Sequence, residues 1–273
     1  MASLKRLLVC GGTGFLGRRI CEQAVAHGWA VTSLSRSGAA AFEGGRVPKW
    51  AESVKFESFD ISKASPDEIR PLTEDSDAVV YSLGILLESN YYKTFAKSQS
   101  PLDGVSKVIQ KWNRNPLKHR IEDEISYELM NRDLAVKLAK ETSASAKVEK
   151  PFLFVSAAGE FPGIPQAYFK TKQQAEQTIS TLPSLRPIFL RPGFMFDPSS
   201  SMTMTMAVGL KAIGTVNEML GGNAPIISRD VLKPLSTSVV AGAAVQAIES
   251  ESVTGVINRD DMIDLARQAS FAT

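Results

Sequence analysis

Four glycines fall within seven residues near the start of the chain, in the run Val9-Cys10-Gly11-Gly12-Thr13-Gly14-Phe15-Leu16-Gly17. An apolar stretch, residues 4–9, leads into them, and a helical pattern, residues 18–27, leads out. The glycines read as Gly12-x-Gly14-x-x-Gly17, and with Gly11 as Gly-x-x-Gly-x-x-Gly. In a strand–turn–helix such residues make a tight turn, leave bare backbone for a pyrophosphate, and let the helix pack close to the strand. The helix start adds unpaired N–H groups and the positive end of its dipole. Flexible glycine turns are common, but here both flanks of a dinucleotide cradle are present. Thr13, Phe15, Leu16 and Arg18 stand among the glycines and at the helix start, where they would line that cradle.

Beyond this turn, apolar runs alternate with helical patterns, which predicts βαβ units and a parallel sheet. Strands are expected over 4–9, 30–35, 54–59, 78–82, 152–156 and 188–191, and helices over 18–27, 66–72, 127–141, 168–180 and 237–249. Ligands of such a sheet gather at the carboxyl ends of its strands. The expected fold is α/β, a Rossmann-type doubly wound parallel sheet with a small C-terminal substrate or lid region. Residues 1–273 would form one domain, with a lid-like insertion over 86–124 and a substrate-side segment over 197–233.

Several function classes drop out. A net charge of +2 gives no electrostatic footprint for nucleic acid. The two cysteines, Cys10 and Cys21, read as buried free thiols, and the two histidines, His27 and His119, form no cluster with metal spacing, so no metal is expected. No run reaches ~18 consecutive apolar residues, so no spanning helix is expected, and with the first strand following Met1-Ala2-Ser3 no cleavable leader is expected either.

The second strand selects the dinucleotide. An NAD site places Asp or Glu about 20 residues past the glycines, on the ribose 2′-hydroxyl. Here the strand ends Ser33-Leu34-Ser35-Arg36-Ser37-Gly38, with no acid. A guanidinium at that point receives a 2′-phosphate through forked, charge-assisted hydrogen bonds, and Ser35 adds a hydroxyl. The expected cofactor is therefore NADP(H), with Arg18 a second candidate for the phosphate; Arg36 as a solvated loop cation is the alternative. Asp60 and Ile61 close the third strand, where an adenine ring would lie; Asp60 as a cap for the helix near Pro66 is the alternative. Leu83 and Gly84 end the fourth strand, beside the path of the adenosine ribose.

Tyr168 and Lys172 stand four residues apart at a helix start, hence on one helix face. A tyrosine with pKa about 10 is a poor acid or base at neutral pH, and a neighbouring ammonium lowers that value. Ser156, at the end of the fifth strand, can hydrogen-bond a substrate oxygen. Any Tyr-x-x-x-Lys pair arises often by chance; its place after Ser156 and downstream of the glycine turn gives it weight.

At these residues the chain resembles the short-chain dehydrogenase/reductase superfamily, in its extended and atypical branches, over most of its length. The resemblance implies that Ser156, Tyr168 and Lys172 polarise a carbonyl, transfer a proton and hold the nicotinamide ribose. It implies that Asn131, in Met130-Asn131-Arg132-Asp133, joins the proton relay and that Pro192, Gly193 and Phe194 close on the nicotinamide carboxamide. The segments Gly84-Ile85-Leu86-Leu87-Glu88, Tyr127–Asp133 and Arg191–Met195 are similar to the fungal atypical reductases of ubiquinone biosynthesis, cousins of the NADPH-binding accessory subunit of respiratory complex I. That resemblance implies a mitochondrial protein, absent a visible presequence, associated with the proteins of the coenzyme Q biosynthetic complex. Its activity would be that of an NADP(H)-dependent oxidoreductase reducing a carbonyl or quinone-type ring; a non-catalytic, structural or redox-sensing NADPH-binding subunit is the alternative.

Two segments carry weaker signals. Lys107, Lys111, Arg114 and Lys118, with Trp112 among them, would share a helix side suited to anionic lipid headgroups and so to peripheral membrane contact. A solvated helix face is the simpler account. Met202, Met204 and Met206 would line an adaptable apolar channel for a prenylated ring, or simply pack in a core or loop.

Overall fold

In the computed structural model, residues 4–38, 42, 46–84, 126–159, 165–199 and 233–271 are described. The lid-like insertion, with its basic and tryptophan residues, and nearly all of the 197–233 segment, with its methionines, lie outside the described residues. The chain runs β1 (Arg6–Cys10), α1 (Gly17–Ala26), β2 (Ala30–Ser35), α2 (Lys49–Glu52), β3 (Val54–Ser58), α3 (Pro66–Glu74) and β4 (Ala78–Tyr81). A π-helical turn, Glu128–Asp133, then enters α4 (Leu134–Ser145), followed by β5 (Lys150–Val155), α5 (Gln166–Ile179) and β6 (Leu185–Leu190). The short β7 (Met195–Phe196) and β8 (Leu235–Ser236), then α6 (Thr237–Glu249), β9 (Gly255–Ile257) and α7 (Arg259–Phe271), complete it.

Seven strands form one parallel sheet in the order β3-β2-β1-β4-β5-β6-β9, and β7 pairs with β8 apart from it. Strand order reverses between β1 and β4, which opens a crevice at their carboxyl ends. Alternate residues of each strand feed two cores. Leu7, Val9, Val80, Leu153 and Ile188 pack on one face against α1 and α6; Leu8, Val79, Tyr81, Phe152 and Phe154 pack on the other against α4 and α5. Each such side chain, fully buried, stabilises the fold by about 1.5–3 kcal/mol. This is the doubly wound α/β architecture that the alternation predicts.

The differences have local causes. β5 starts at Lys150-Pro151 and β6 at Leu185-Arg186-Pro187, residues that look like breakers in sequence. Arg186 is nonetheless buried, because its guanidinium donates to the carbonyls of Ala247 and Ile248 (3.1 and 2.6 Å) at the end of α6. The predicted helix at 127 opens as a π turn in which the Leu134 N–H reaches back to the Leu129 carbonyl. Ser65 caps α3 in a capping box with Glu68 (Ser65 N to Oε2, 2.7 Å). Asp60 is therefore not the cap.

Candidate active site

The glycine turn is built by steric exclusion. Gly11 leaves β1 with φ +92°, and a Cβ there would sit 2.9 Å from the Leu83 side chain. A Cβ on Gly17 would lie 2.1 Å from the Gly11 carbonyl oxygen, so α1 rests directly on the turn. One on Gly12 would meet Ser33 Oγ at 2.4 Å. Leu16 precedes α1 without a side-chain cap, and no acid stands in its first turn, so none of the helix's own side chains offsets its positive end. These features fit a dinucleotide pyrophosphate. Thr13 is half-buried, while Gly14 and Phe15 are exposed beside it.

At the end of β2, the Gly38 N–H donates to the Ser35 carbonyl and to Ser35 Oγ, both at 3.2 Å, and Ser58 Oγ donates to the Arg36 carbonyl at 3.0 Å. The Arg36 backbone is thus fixed while its side chain stands in solvent. Asp60 accepts from Ser62 Oγ (2.6 Å) and Ser62 N (3.1 Å), which hold its carboxyl below the usual range; the cations Lys63 and Arg36 add to this. Ile61 is buried next to it. Arg18 turns elsewhere: its Nη2 donates to Asp197 Oδ2 at 2.8 Å, and Arg19 Nη2 donates to Oδ1 at 3.0 Å. Burial alone would raise the Asp197 carboxyl, but Ser199 and the two arginines outweigh it and hold it far below the usual range.

The second half of the site collects polar side chains in a dry interior. Ser156, Lys172 and Asn131 are all buried, and Tyr168 is 7% exposed. Lys172 Nζ donates to the Val155 carbonyl at 2.6 Å and lies 4.9 Å from the Phe154 ring centre and 5.5 Å from that of Tyr168. Burial pulls its pKa down to about 7, while Glu176 raises it against that trend. Tyr168 packs edge-on against Phe169 (5.1 Å) and Tyr127 (6.1 Å). Among the described residues, Ser156 Oγ has no hydrogen-bond partner. A buried hydroxyl in that state costs about 1–3 kcal/mol unless a ligand completes it.

Gly84 ties the elements together. A Cβ there would lie 3.4 Å from both Asn131 Oδ1 and Lys172 Nζ, so the end of β4, the π turn and α5 converge at one point. Tyr81 donates its hydroxyl to the Met130 carbonyl at 2.6 Å, fixing the turn that carries Asn131. Pro192 accepts from Ala158 N at 3.0 Å, so Pro192, Gly193 and Phe194 run beside the Ser156 segment. Sequence reasoning passed over Tyr127, Asp197 and the Glu176–Arg191 pair as site residues. Glu176 left a trace in its helical spacing from Lys172, and Tyr127 and Arg191 left one only as members of the segments that carry the family resemblance.

Residues 7–96 match the NAD dependent epimerase/dehydratase family. Over 277 aligned residues the chain is 32% identical to MIOREX complex component 2 of Saccharomyces cerevisiae, covering 95% of this chain and 99% of that protein. The chain belongs to the NAD-dependent epimerase/dehydratase family. Solved structures share the fold. A short-chain dehydrogenase from Streptomyces avermitilis superposes with a TM-score of 0.56 at 16% identity, covering 100% of this chain and 94% of that one. The UDP-glucose 4-epimerase of Thermus thermophilus, a complex with NAD, gives 0.55 at 18% identity, covering 97% and 83%. The glycine turn of β1 and α1 lies within the stretch that matches the family.

Proposed function

We propose that this chain is an NADPH-dependent reductase of the short-chain dehydrogenase/reductase type, acting on a carbonyl or quinone-type ring. The observation that carries the reading is the convergence of Ser156, Tyr168, Lys172 and Asn131 at the carboxyl ends of β4 and β5, next to the glycine turn. The turn from Gly11 to Gly17 would hold the pyrophosphate, Ser35 and Arg36 the 2′-phosphate, and Asp60 and Ile61 the adenine. Leu83 and Gly84 would flank the adenosine ribose, Lys172 would hold the nicotinamide ribose, and Pro192, Gly193 and Phe194 the carboxamide. When bound, NADPH supplies the hydride. Tyr168 donates the proton to the substrate oxygen, the Lys172 ammonium makes that phenol a stronger acid, and Ser156 orients the oxygen. Asn131 extends the proton path through the π turn, a helix irregularity frequent at functional sites.

The resemblance to fungal atypical reductases supports a place in coenzyme Q biosynthesis, in mitochondria, with a prenylated quinone-type substrate and partners in the biosynthetic complex. The segments 86–124 and 197–233 would then serve as lid and substrate wall of one domain, the basic side of the first touching the membrane surface. The yeast relative bears the name of a complex component. That name favours a second reading, a non-catalytic NADPH-binding subunit.

Denaturing the purified protein and identifying any released nucleotide tests the cofactor, and calorimetry compares NADPH with NADH. No heat with NADPH at millimolar concentration ends the reading. Tyr168→Phe should lower turnover about 10²–10⁴-fold with coenzyme affinity nearly unchanged. Complex assembly restored in cells by that variant, with activity still absent, favours the subunit reading instead.

A further inference from the structure

Glu176 stands four residues past Lys172 on α5, one turn along the same helix face, and both side chains are buried. The carboxylate is engaged by Arg191, the residue directly after β6: Nε donates to Oε1 at 3.0 Å, and Nη2 donates to Oε2. Lys172 Nζ meanwhile donates to the Val155 carbonyl. The lysine therefore receives Glu176 as a field across one helical turn, while the fork of the arginine occupies both oxygens.

We propose that the Glu176–Arg191 ion pair is a positioning device for Lys172, in which Arg191 holds the carboxylate at a fixed remove and so sets how strongly the ammonium is favoured. The inference rests on the reading of Tyr168 as proton donor and Lys172 as the group that tunes it. Among the described residues, what faces the lysine is otherwise uncharged. Its own helix brings the Tyr168 phenol as well as Glu176; β5 brings the Val155 carbonyl and the Phe154 ring. The end of β4 brings the Gly84 backbone, and the π turn brings the Asn131 amide. Arg132, the cation on that turn, is committed to Asp133 and to Gln174.

The buried Lys172 and the half-buried Arg191 thus act on one carboxylate, the first through its field and the second by direct hydrogen bonds. Opposite consequences follow from removing either member of the ion pair. Without the Glu176 charge, burial acts on Lys172 unopposed, and its amine stays neutral to lower pH. Without the guanidinium, the carboxylate is free to lean toward Lys172 and a repelling cation is gone, so the ammonium persists to higher pH. Because Arg191 leads directly into Pro192, the pair also ties the strand end beside Ser156 to the helix that carries Tyr168.

The test follows Lys172 itself. In protein carrying ¹³C at the lysine ε-carbons, the resonance lost in Lys172→Arg identifies it, and it is titrated without coenzyme from about pH 5.5 to about pH 10. Glu176→Gln should move the midpoint down by about one unit and Arg191→Met should move it up by about one unit. Arg191→Lys, which keeps a cation on the carboxylate, should move it less than Arg191→Met does. Midpoints that stay put, or that move the same way in the first two variants, overturn the proposal; a merely structural pair gives no opposed signs. If Glu176→Gln does not fold, the order of the two Arg191 variants decides, and equal shifts overturn it. If Arg191→Met does not fold, an unmoved midpoint in Glu176→Gln overturns it. A fluorescence titration of the native chain with NADPH separates the two readings: opposed shifts without NADPH binding overturn the reductase reading alone, and binding with unmoved midpoints overturns the role of the pair alone.

Discussion

The strands β1 to β3 and the strands β4 to β6 build the two halves of one crevice by opposite means. In the first half the demand is for missing side chains: a Cβ on Gly11, Gly12 or Gly17 would lie 2.9, 2.4 or 2.1 Å from its nearest neighbour. In the second half the demand is for polar side chains held out of water, Ser156, Lys172, Asn131 and Glu176. The first arrangement itself takes no charged side chain out of water. The second does, and the buried Lys172 amine, pulled down to about 7, shows it. A change in the first half should therefore cost stability and binding together, whereas a change in the second should separate chemistry from stability.

Gly17→Ala gives the largest expected effect. Its new methyl would meet a backbone carbonyl that cannot swing aside, so the loss should reach about 3 kcal/mol. That corresponds to a fall in Tm of roughly 10 °C, with coenzyme binding lost as well. A thermal scan of the folded variant that matches the native chain would break the steric account of this half.

Lys172→Met should do the reverse. Turnover should fall about 100-fold or more, yet stability at low pH should not fall with it. An unfolded lysine keeps a pKa of 10.5, and the folded one has a value of about 7. Below pH 7 both forms hold the proton, and the full burial cost is expressed. Between 7 and 10.5 only the unfolded chain binds it, so stability rises with pH over that window, by about 1.4 kcal/mol per unit. Urea unfolding at several pH values should show this rise in the native chain and lack it in Lys172→Met. Parallel curves would mean that the amine is hydrated, and the contrast between the halves would fail.

The same contrast explains what was legible. The glycine turn is a contiguous signal, because its contacts join neighbours in sequence and adjacent strand ends. The helix over Thr237–Glu249 and the strand over Ala30–Ser35 follow from periodicity alone, and both have the expected bounds. The π turn was hidden, since it answers to the Tyr81 hydroxyl drawing on the Met130 carbonyl from another strand. Arg186 hid the start of β6, because the partners that make its burial tolerable lie at the end of α6. Asp197 and its arginines are brought together by the fold across most of the chain, as are the parts that surround Lys172. Such pairings have no local pattern to betray them, and β9 with three residues is too short to carry one.

The smallest expected effect probes the first half where it does depend on a charge. The Arg36 side chain stands in solvent, with its backbone fixed by Ser58 and by the turn to Gly38. Removing it should leave packing unchanged, and surface substitutions of that kind stay within about 0.5 kcal/mol of stability. A guanidinium–phosphate contact contributes about 1.5–3 kcal/mol, so Arg36→Ala should weaken NADPH about 10- to 100-fold and leave NADH nearly unchanged. Arg18→Ala makes the sharper control. Because Arg18 is drawn to Asp197, its loss should weaken both dinucleotides alike or neither. If NADPH falls selectively in Arg18→Ala and not in Arg36→Ala, the 2′-phosphate site belongs at the start of α1, and the charge at the end of β2 is only a solvated cation.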